Sequence, residues 1–256
     1  MRVLLTSLRL QFKQSLSRST YRFVIIIQPI LNTILLYFIL SNKNFVNVGE
    51  YLFVNVSVMN LWSSIVFSSL SDLTREKRMG VLGSNFASPV KFQWIYGGKV
   101  IANLILALWS FAVSYLIIQY VFDLNIVLPN VYTLITVYFL LLISFTTLSL
   151  FLSYFFLLNR QAIFWINVLE YPIYLLSGIA TSIQKLPWFL QIISWLLPTK
   201  WIVGLLHQIF NAKYNILTSA NVYGLLILTA LYGIGIIVMN NIMERKILVE
   251  GQLEVY

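Results

Sequence analysis

The chain has no cysteine and a single histidine, His207, among its 256 residues. Disulfides, thiolate zinc sites, iron–sulfur clusters and thiol nucleophiles are thereby excluded, and one imidazole cannot build a multi-histidine metal or haem centre. Charge is scarce as well. Asp, Glu, Lys and Arg make up 10% of the residues, against about 25% in a soluble domain. So few charges cannot cover a water-facing surface of this size, which excludes a soluble enzyme or a transcription factor. The phosphate-cradling pattern G-x-x-x-x-G-K-[ST] is also missing, because Gly97-Gly98-Lys99 is followed by Val100 and lacks the upstream glycine.

What the chain has in quantity is apolar surface, with 59% hydrophobic residues. A membrane-crossing helix needs about 20 mostly apolar residues. Six stretches qualify, at 21–40, 51–70, 96–122, 132–157, 162–183 and 222–239. A further apolar stretch, 186–210, is interrupted by Pro187, Pro198 and Lys200. Proline removes a backbone donor that lipid cannot replace, so this stretch predicts short helices dipping into the outer face. The expected fold is all-α and integral to the membrane. It has a segment at 1–20 and one six-span domain over 21–256, with a cytoplasmic loop at 71–95 and an outer cap at 184–215.

The formal charge of +9 reflects cytoplasmic loops rather than a nucleic-acid surface. With both termini inside, thirteen of the 17 Lys and Arg fall on the cytoplasmic face, and Lys43, Lys185, Lys200 and Lys213 fall outside. The first apolar run is longer than a signal-peptide core and has no A-x-A exit, so it is expected to stay in the mature chain. No internal repeat is visible.

Residues 2–20 predict an amphipathic helix on the membrane surface. Leu4, Leu5, Leu8, Phe12 and Leu16 share one arc, with Ser7, Gln11, Gln14 and Arg18 opposite and Arg2, Arg9 and Lys13 at the flanks. A plain positively charged leader is the alternative. Between the second and third spans, Asp72, Arg75, Glu76, Lys77 and Arg78 form a charged patch, and Gly80 and Pro89 then bracket Val81, Leu82 and Phe86. That pattern describes either a helical knob offered to a cytoplasmic partner or a solvated loop with positive-inside charge.

At this loop the chain resembles the permease subunits of type-2 ABC exporters. The run WSSIVFSSLSDLTREKRMGVLGSNFASPV at 62–90 is similar to their second span, charged cluster, glycine, short helix and proline. A second likeness lies at 174–206, where Ser177, Gly178, Leu186, Pro187, Leu196, Leu197 and Pro198 occupy the family's outer-cap positions. Ala180, Thr181 and Ser182 stand where relatives often carry proline, and Lys77 and Arg78 where an acidic residue is frequent. The basic leader and Pro29 are shared with polysaccharide exporters, whereas the glycine-containing charged loop is more like the drug, lantibiotic and natural-product branch.

The resemblance implies an ATP-driven complex in which this chain has no active site and holds no cofactor. ATP and Mg would be bound by a cytoplasmic ATPase subunit in two copies. A second permease, identical or paralogous, and membrane lipid would be the other partners. It further implies that Arg75, Glu76, Lys77, Arg78, Gly80, Val81, Leu82, Phe86 and Pro89 couple to the ATPase, with the leader packed alongside.

Glu170 is the one acidic residue inside a span. It follows Arg160 by ten residues, about 15 Å of helix, and so sits near the midplane, where an ionised carboxylate costs on the order of 3 kcal/mol unless paired or wetted. It is expected to face the bundle interior, either in a transport path or dimer interface or as an internally paired group beside Pro172. Asn167 lies about one turn away and can share a hydrogen bond. Asn32, Asn55, Asn60 and Asn103 are expected to bond between helices. Gly98-x-x-x-Ala102 and Ser110-x-x-x-Ser114 permit close helix approach. Trp188, Trp195 and Trp201 read as an aromatic belt, with His207 interfacial beside the cap. An ion-coupled carrier would call for several intramembrane carboxylates and repeated halves, and an intramembrane enzyme for convergent polar groups. The sequence offers neither.

Overall fold

The computed structural model of the chain describes residues 2–41, 47–64, 70–81, 84–85, 88–90, 92–157, 162–179, 182–210 and 219–250. No strand occurs among them. The helices are α1 (Arg2–Ser17), α2 (Ser19–Ser41), α3 (Val48–Ser64), α4 (Ser71–Arg78), α5 (Phe92–Ala107), α6 (Trp109–Tyr120), α7 (Val131–Leu157), α8 (Ala162–Leu176), α9 (Trp188–Leu196), α10 (Pro198–Phe210) and α11 (Ala220–Glu250). Four stretches of these are long and apolar enough to cross a membrane: Phe23–Leu40, Phe92–Tyr120, Val131–Phe156 and Ala220–Ile242. The pair α9 and α10, bent by 84°, makes a fifth if taken as one broken span. The expected second and fifth crossings coincide with α3 and α8, whose described lengths are 17 and 15 residues.

α3 is the central element. Residues 52–64 are all buried, and the helix touches α2, α5, α6, α8 and α10. A helix enclosed on every side need not segregate polar from apolar residues, provided its polar groups find partners. Around it, α7 packs on α11 and α5, while α10 closes against α3 and α11. Apolar side chains such as Phe38, Phe139 and Ile234 point outward, as a lipid-facing surface requires.

The stretch 96–122 takes the form of α5 and α6 with a single turn at Leu108, whose N–H reaches Leu104 O at 3.1 Å and Ile105 O at 3.2 Å. α7 starts behind Asn130, whose Oδ1 accepts from the Tyr132 N–H at 3.1 Å, an N-terminal cap. α8 ends at Gly178 with φ of 82°, a left-handed conformation that glycine adopts without a Cβ penalty.

The segment expected to form an outer cap is tied to the end of α8. Ser177 Oγ lies 2.5 Å from Thr199 Oγ1, and Ser194 Oγ donates to Leu176 O at 2.5 Å. Pro187 immediately precedes α9 and Pro198 is the first residue of α10, where a missing N–H costs nothing. Each proline therefore sits at a helix start, where it turns the chain. Lys200 is held over the rings of Trp195 and Trp201, at 4.1 and 4.0 Å from their centroids. Trp188 and Trp195 are exposed, as a belt would be. His207 stacks on Tyr51 at 4.7 Å, inside the α3–α10 contact.

α1 departs from expectation on one face. Leu5 and Leu16 of the expected apolar arc are exposed, while Leu4, Leu8 and Phe12 are half-buried. On the polar side Gln14 is exposed, but one row of side chains does not meet water. Ser7, Gln11 and Ser15 are buried against α5, the helix that α1 contacts most. A Cβ on Gly98 would lie 2.7 Å from Leu4 O and 2.9 Å from Ser7 Cβ, so the two backbones meet only because residue 98 is glycine.

Candidate functional site

The first candidate region is where α1, α4 and α5 meet. The side chains of Ser7, Gln11 and Ser15 recur every four residues, so they form one row on α1. Gln11 Nε2 donates to Asp72 Oδ2 at 2.5 Å, to Ser15 Oγ at 2.9 Å and to Asn103 Oδ1 at 3.1 Å. Ser15 Oγ donates to the same Asn103 oxygen at 2.9 Å. Arg18, the one non-helical residue between α1 and α2, forms an ion pair with Asp72, and Arg75 approaches that carboxylate at 3.9 Å. Asp72 is 2% exposed, so the pair is largely withdrawn from water.

One turn along α4, Glu76 is buried too. Lys99 on α5 pairs with its Oε1 at 2.5 Å, and Asn85 Nδ2 donates to its Oε2 at 3.3 Å. Both acidic residues of α4 thus face inward, and Gly97-Gly98-Lys99 is a helical packing and ion-pairing element. Among the expected coupling residues, Arg75 and Lys77 are half-buried, and Arg78, Gly80, Val81 and Pro89 are exposed. Leu82 and Phe86 lie outside the described residues. Gly80 has φ of 70° and terminates α4, with its N–H on Lys77 O at 3.2 Å. The outcome is a helix whose acidic face is fixed to α1 and α5 while its basic, glycine-ended corner projects. α4 also contacts α7 and α8.

The second region surrounds Glu170 on α8. Its Oε1 accepts from Ser63 Oγ at 2.9 Å and from Tyr174 Oη at 2.8 Å, and the two hydroxyls are 2.5 Å apart. The side chain of Asn167 lies outside the described residues. Glu170 borders a groove of about 600 Å³ between α2, α3 and α8, walled by residues such as Phe23, Leu35, Ile39, Met59 and Tyr171. Gln28 and Asn32 line it as well.

Behind that groove runs a polar seam. Asn32 Nδ2 donates to Asn60 Oδ1 at 2.8 Å, and Asn60 Nδ2 to Ser114 Oγ at 3.3 Å, linking α2, α3 and α6. These two asparagines and Asn103 bond between helices as the sequence suggests. Asn55 does not. It is fully buried, with neither amide atom partnered among the described residues. Among the described residues there is no group of three or more His, Cys, Asp or Glu that can hold a metal.

Sequence reasoning missed Ser63 and Tyr174 as the partners of Glu170, and Gln11 and Arg18 as those of Asp72. The four-residue spacing of Ser7, Gln11 and Ser15, set beside Gly98 and Ala102, is the signal that can find the α1–α5 contact. Nothing local marks Ser63, because its pairing depends on how α3 and α8 are placed.

Comparison with known proteins bears on the whole arrangement. The profile of the ABC-2 type transporter family matches residues 2–211. A probable multidrug ABC transporter permease, YbhR, from Escherichia coli K12 is 27% identical over 173 residues, covering 66% of this chain and 46% of the relative. Its counterpart in Escherichia coli O157:H7 matches to the same extent. The matched region therefore spans about half the length of these curated relatives. The family match takes in α1, the α4 corner, the Glu170 groove and the α9–α10 pair together, and the chain belongs to the ABC-2 type transporter family as a multi-pass membrane permease.

Proposed function

We propose that this chain is the membrane-spanning subunit of an ATP-driven exporter in the plasma membrane, moving an amphipathic or lipid-like cargo out of the cytoplasm or inner leaflet. It crosses six times, with α3 and α8 contributing the second and fifth crossings and both termini in the cytoplasm. The thirteen-to-four distribution of Lys and Arg supports that orientation. A separate ATPase, in two copies, binds ATP and Mg, and a second permease, identical or paralogous, completes the complex. This chain carries no active site of its own.

The observation that carries the reading is the projecting corner of α4. Arg78, Gly80 and Val81 are exposed on an element that touches α7 and α8 and is tied through Asp72 and Glu76 to α1 and α5. A partner pulling on this corner loads four helices at once. In this proposal Arg75, Glu76, Lys77, Arg78, Gly80, Val81, Leu82, Phe86 and Pro89 form the coupling segment. Glu76 acts from the inside, holding the segment to Lys99. Glu170 and Asn167 lie in the transport path or at the interface with the second permease.

The name of the multidrug relatives favours a drug, peptide or natural-product cargo. Pro29, inside α2, and the basic leader favour export of a polysaccharide or lipid-linked glycan as the second reading. An ion-coupled carrier is the more distant alternative.

Gentle detergent purification of the tagged chain, followed by mass spectrometry of what accompanies it, tests the class. A stoichiometric protein bearing a phosphate-binding loop is expected; transport without any ATPase overturns the proposal. Gly80→Trp, or Arg75→Glu together with Arg78→Glu, should uncouple ATP hydrolysis while leaving insertion intact. Normal export by these variants removes the docking assignment. Glu170→Gln should alter transport kinetics or specificity without preventing assembly.

A further inference from the structure

The groove beside Glu170 combines three features. First, Glu170 is buried, at 9% exposure, yet no Lys, Arg or His lines the groove among the described residues. Second, hydroxyl donors occupy only one of its oxygens: Ser63 and Tyr174 both donate to Oε1, and Oε2 has no hydrogen-bond partner among the described residues. Third, the walls are apolar and aromatic, with Phe23, Tyr171 and Tyr174 beside aliphatic residues of α2. A volume of about 600 Å³ falls within the range of drug-sized ligand sites.

Each feature narrows what can bind. A carboxylate within hydrocarbon is stabilised by a counter-charge, and the described residues supply none there. Aromatic faces attract cations and repel anions. Aliphatic walls require bulk around the charge, which excludes a hydrated inorganic ion. We propose that this groove is a binding site for a lipophilic monocation, a quaternary or protonated amine or its phosphonium analogue, with Glu170 Oε2 as the charge partner and Tyr171 and Phe23 as aromatic walls. Gln28 and Asn32 offer amide groups to any polar substituent on the ligand. The inference deepens the exporter reading and rests on it only for the claim that the bound cation is cargo. Binding itself needs no ATPase.

The test uses the full chain in nanodiscs of zwitterionic lipid and a pair of probes nearly equal in size and shape but opposite in charge, tetraphenylphosphonium and tetraphenylborate. Equilibrium dialysis against empty nanodiscs measures saturable binding. Tetraphenylphosphonium should saturate and tetraphenylborate should only partition into lipid. Glu170→Gln keeps the shape of the side chain and an acceptor for Ser63 and Tyr174, and should weaken cation binding about tenfold or more. Leu35→Trp fills the groove from an exposed wall position while keeping the carboxyl group, and should also abolish saturable binding.

Equal binding of the two probes, or unchanged affinity in Glu170→Gln, overturns the proposal. So does the absence of saturable binding accompanied by a shift in oligomeric state on Glu170→Gln, which makes the groove an interface with a second copy. Binding of the cation by a chain that captures no ATPase keeps this site and removes the exporter reading. An ATPase-coupled chain with no charge preference does the reverse.

Discussion

Removing the carboxylate of Asp72 should destabilise the junction of α1, α4 and α5 by more than a surface ion pair can account for. Asp72 is 2% exposed, whereas the side chain of Arg18 retains 24% and that of Arg75 33%. Truncating one member of a fully buried pair costs about 3–5 kcal/mol, because the remaining charge is left desolvated. The partial exposure of both guanidiniums lowers that figure, so Asp72→Ala is expected to cost about 2–3 kcal/mol. Gln11 adds little to the loss, since its Nε2 keeps Ser15 and Asn103 as acceptors at 2.9 and 3.1 Å.

A double-mutant cycle with Arg18→Ala isolates the pair. With Arg18 already absent, Asp72 retains only Arg75, at 3.9 Å, as a cationic partner among the described residues. The second truncation then loses less, and the coupling energy should reach about 1.5 kcal/mol. Reversible unfolding of the chain in mixed micelles, titrated with SDS, measures all four corners. Because the pair is mostly withdrawn from solvent, raising the salt from ~0.1 M to ~1 M should change the coupling little. Additivity within about 0.5 kcal/mol, or a total cost for Asp72→Ala below about 1 kcal/mol, refutes the reasoning and returns the pair to the class of exposed ion pairs.

Three further outcomes follow from single positions. Gly98→Ala places a methyl group 2.7 Å from a backbone oxygen that cannot rotate away, and should cost about 1–3 kcal/mol, read as faster amide exchange along α1. Asn55→Leu removes an amide with no partner among the described residues, and should leave stability unchanged or raise it by about 1 kcal/mol in the same SDS titration; a marked loss would reveal an unseen partner. At Gly80 the φ of 70° alone disfavours a side chain, since a Cβ added there would meet nothing within 4 Å. Gly80→Ala should therefore cost about 1 kcal/mol and Gly80→Asn less, measured by the same titration.

Four of the six expected spans were legible because a hydrocarbon solvent leaves little choice. Expected stretches at 21–40 and 132–157 recur as Ser19–Ser41 and Val131–Leu157, since an apolar run of that length has to satisfy its own backbone. Pro187 and Pro198 were legible for the complementary reason, as each removes a donor and so fixes a helix start. That Glu170 faces the bundle interior, at 9% exposure, followed from the cost of a charge in lipid. Its partners did not, because Ser63 lies 107 positions away and is brought to it only by the packing of α3 on α8. For Glu76, pattern pointed to an exposed docking charge, whereas the fold turns it inward onto Lys99, 23 residues along. A charge cluster in sequence shows where a helix meets water, but which of its faces does so depends on the neighbouring helices.

The leader shows why amphipathicity reads differently beside a membrane. In water an apolar arc is the face that packs and the polar arc is left to solvent. Lipid is as apolar as leucine, so burying Leu5 or Leu16 against protein gains little there, and those side chains stay outside. What distinguishes protein from lipid is small size and hydrogen bonding. Ser7, Gln11 and Ser15 supply both, facing Gly98 and Asn103 on α5. The same logic places Asn32, Asn60 and Ser114 between α2, α3 and α6. In this chain polar residues mark several of the helix contacts, and the groove at Glu170 is where one such residue keeps an acceptor that no described helix has used.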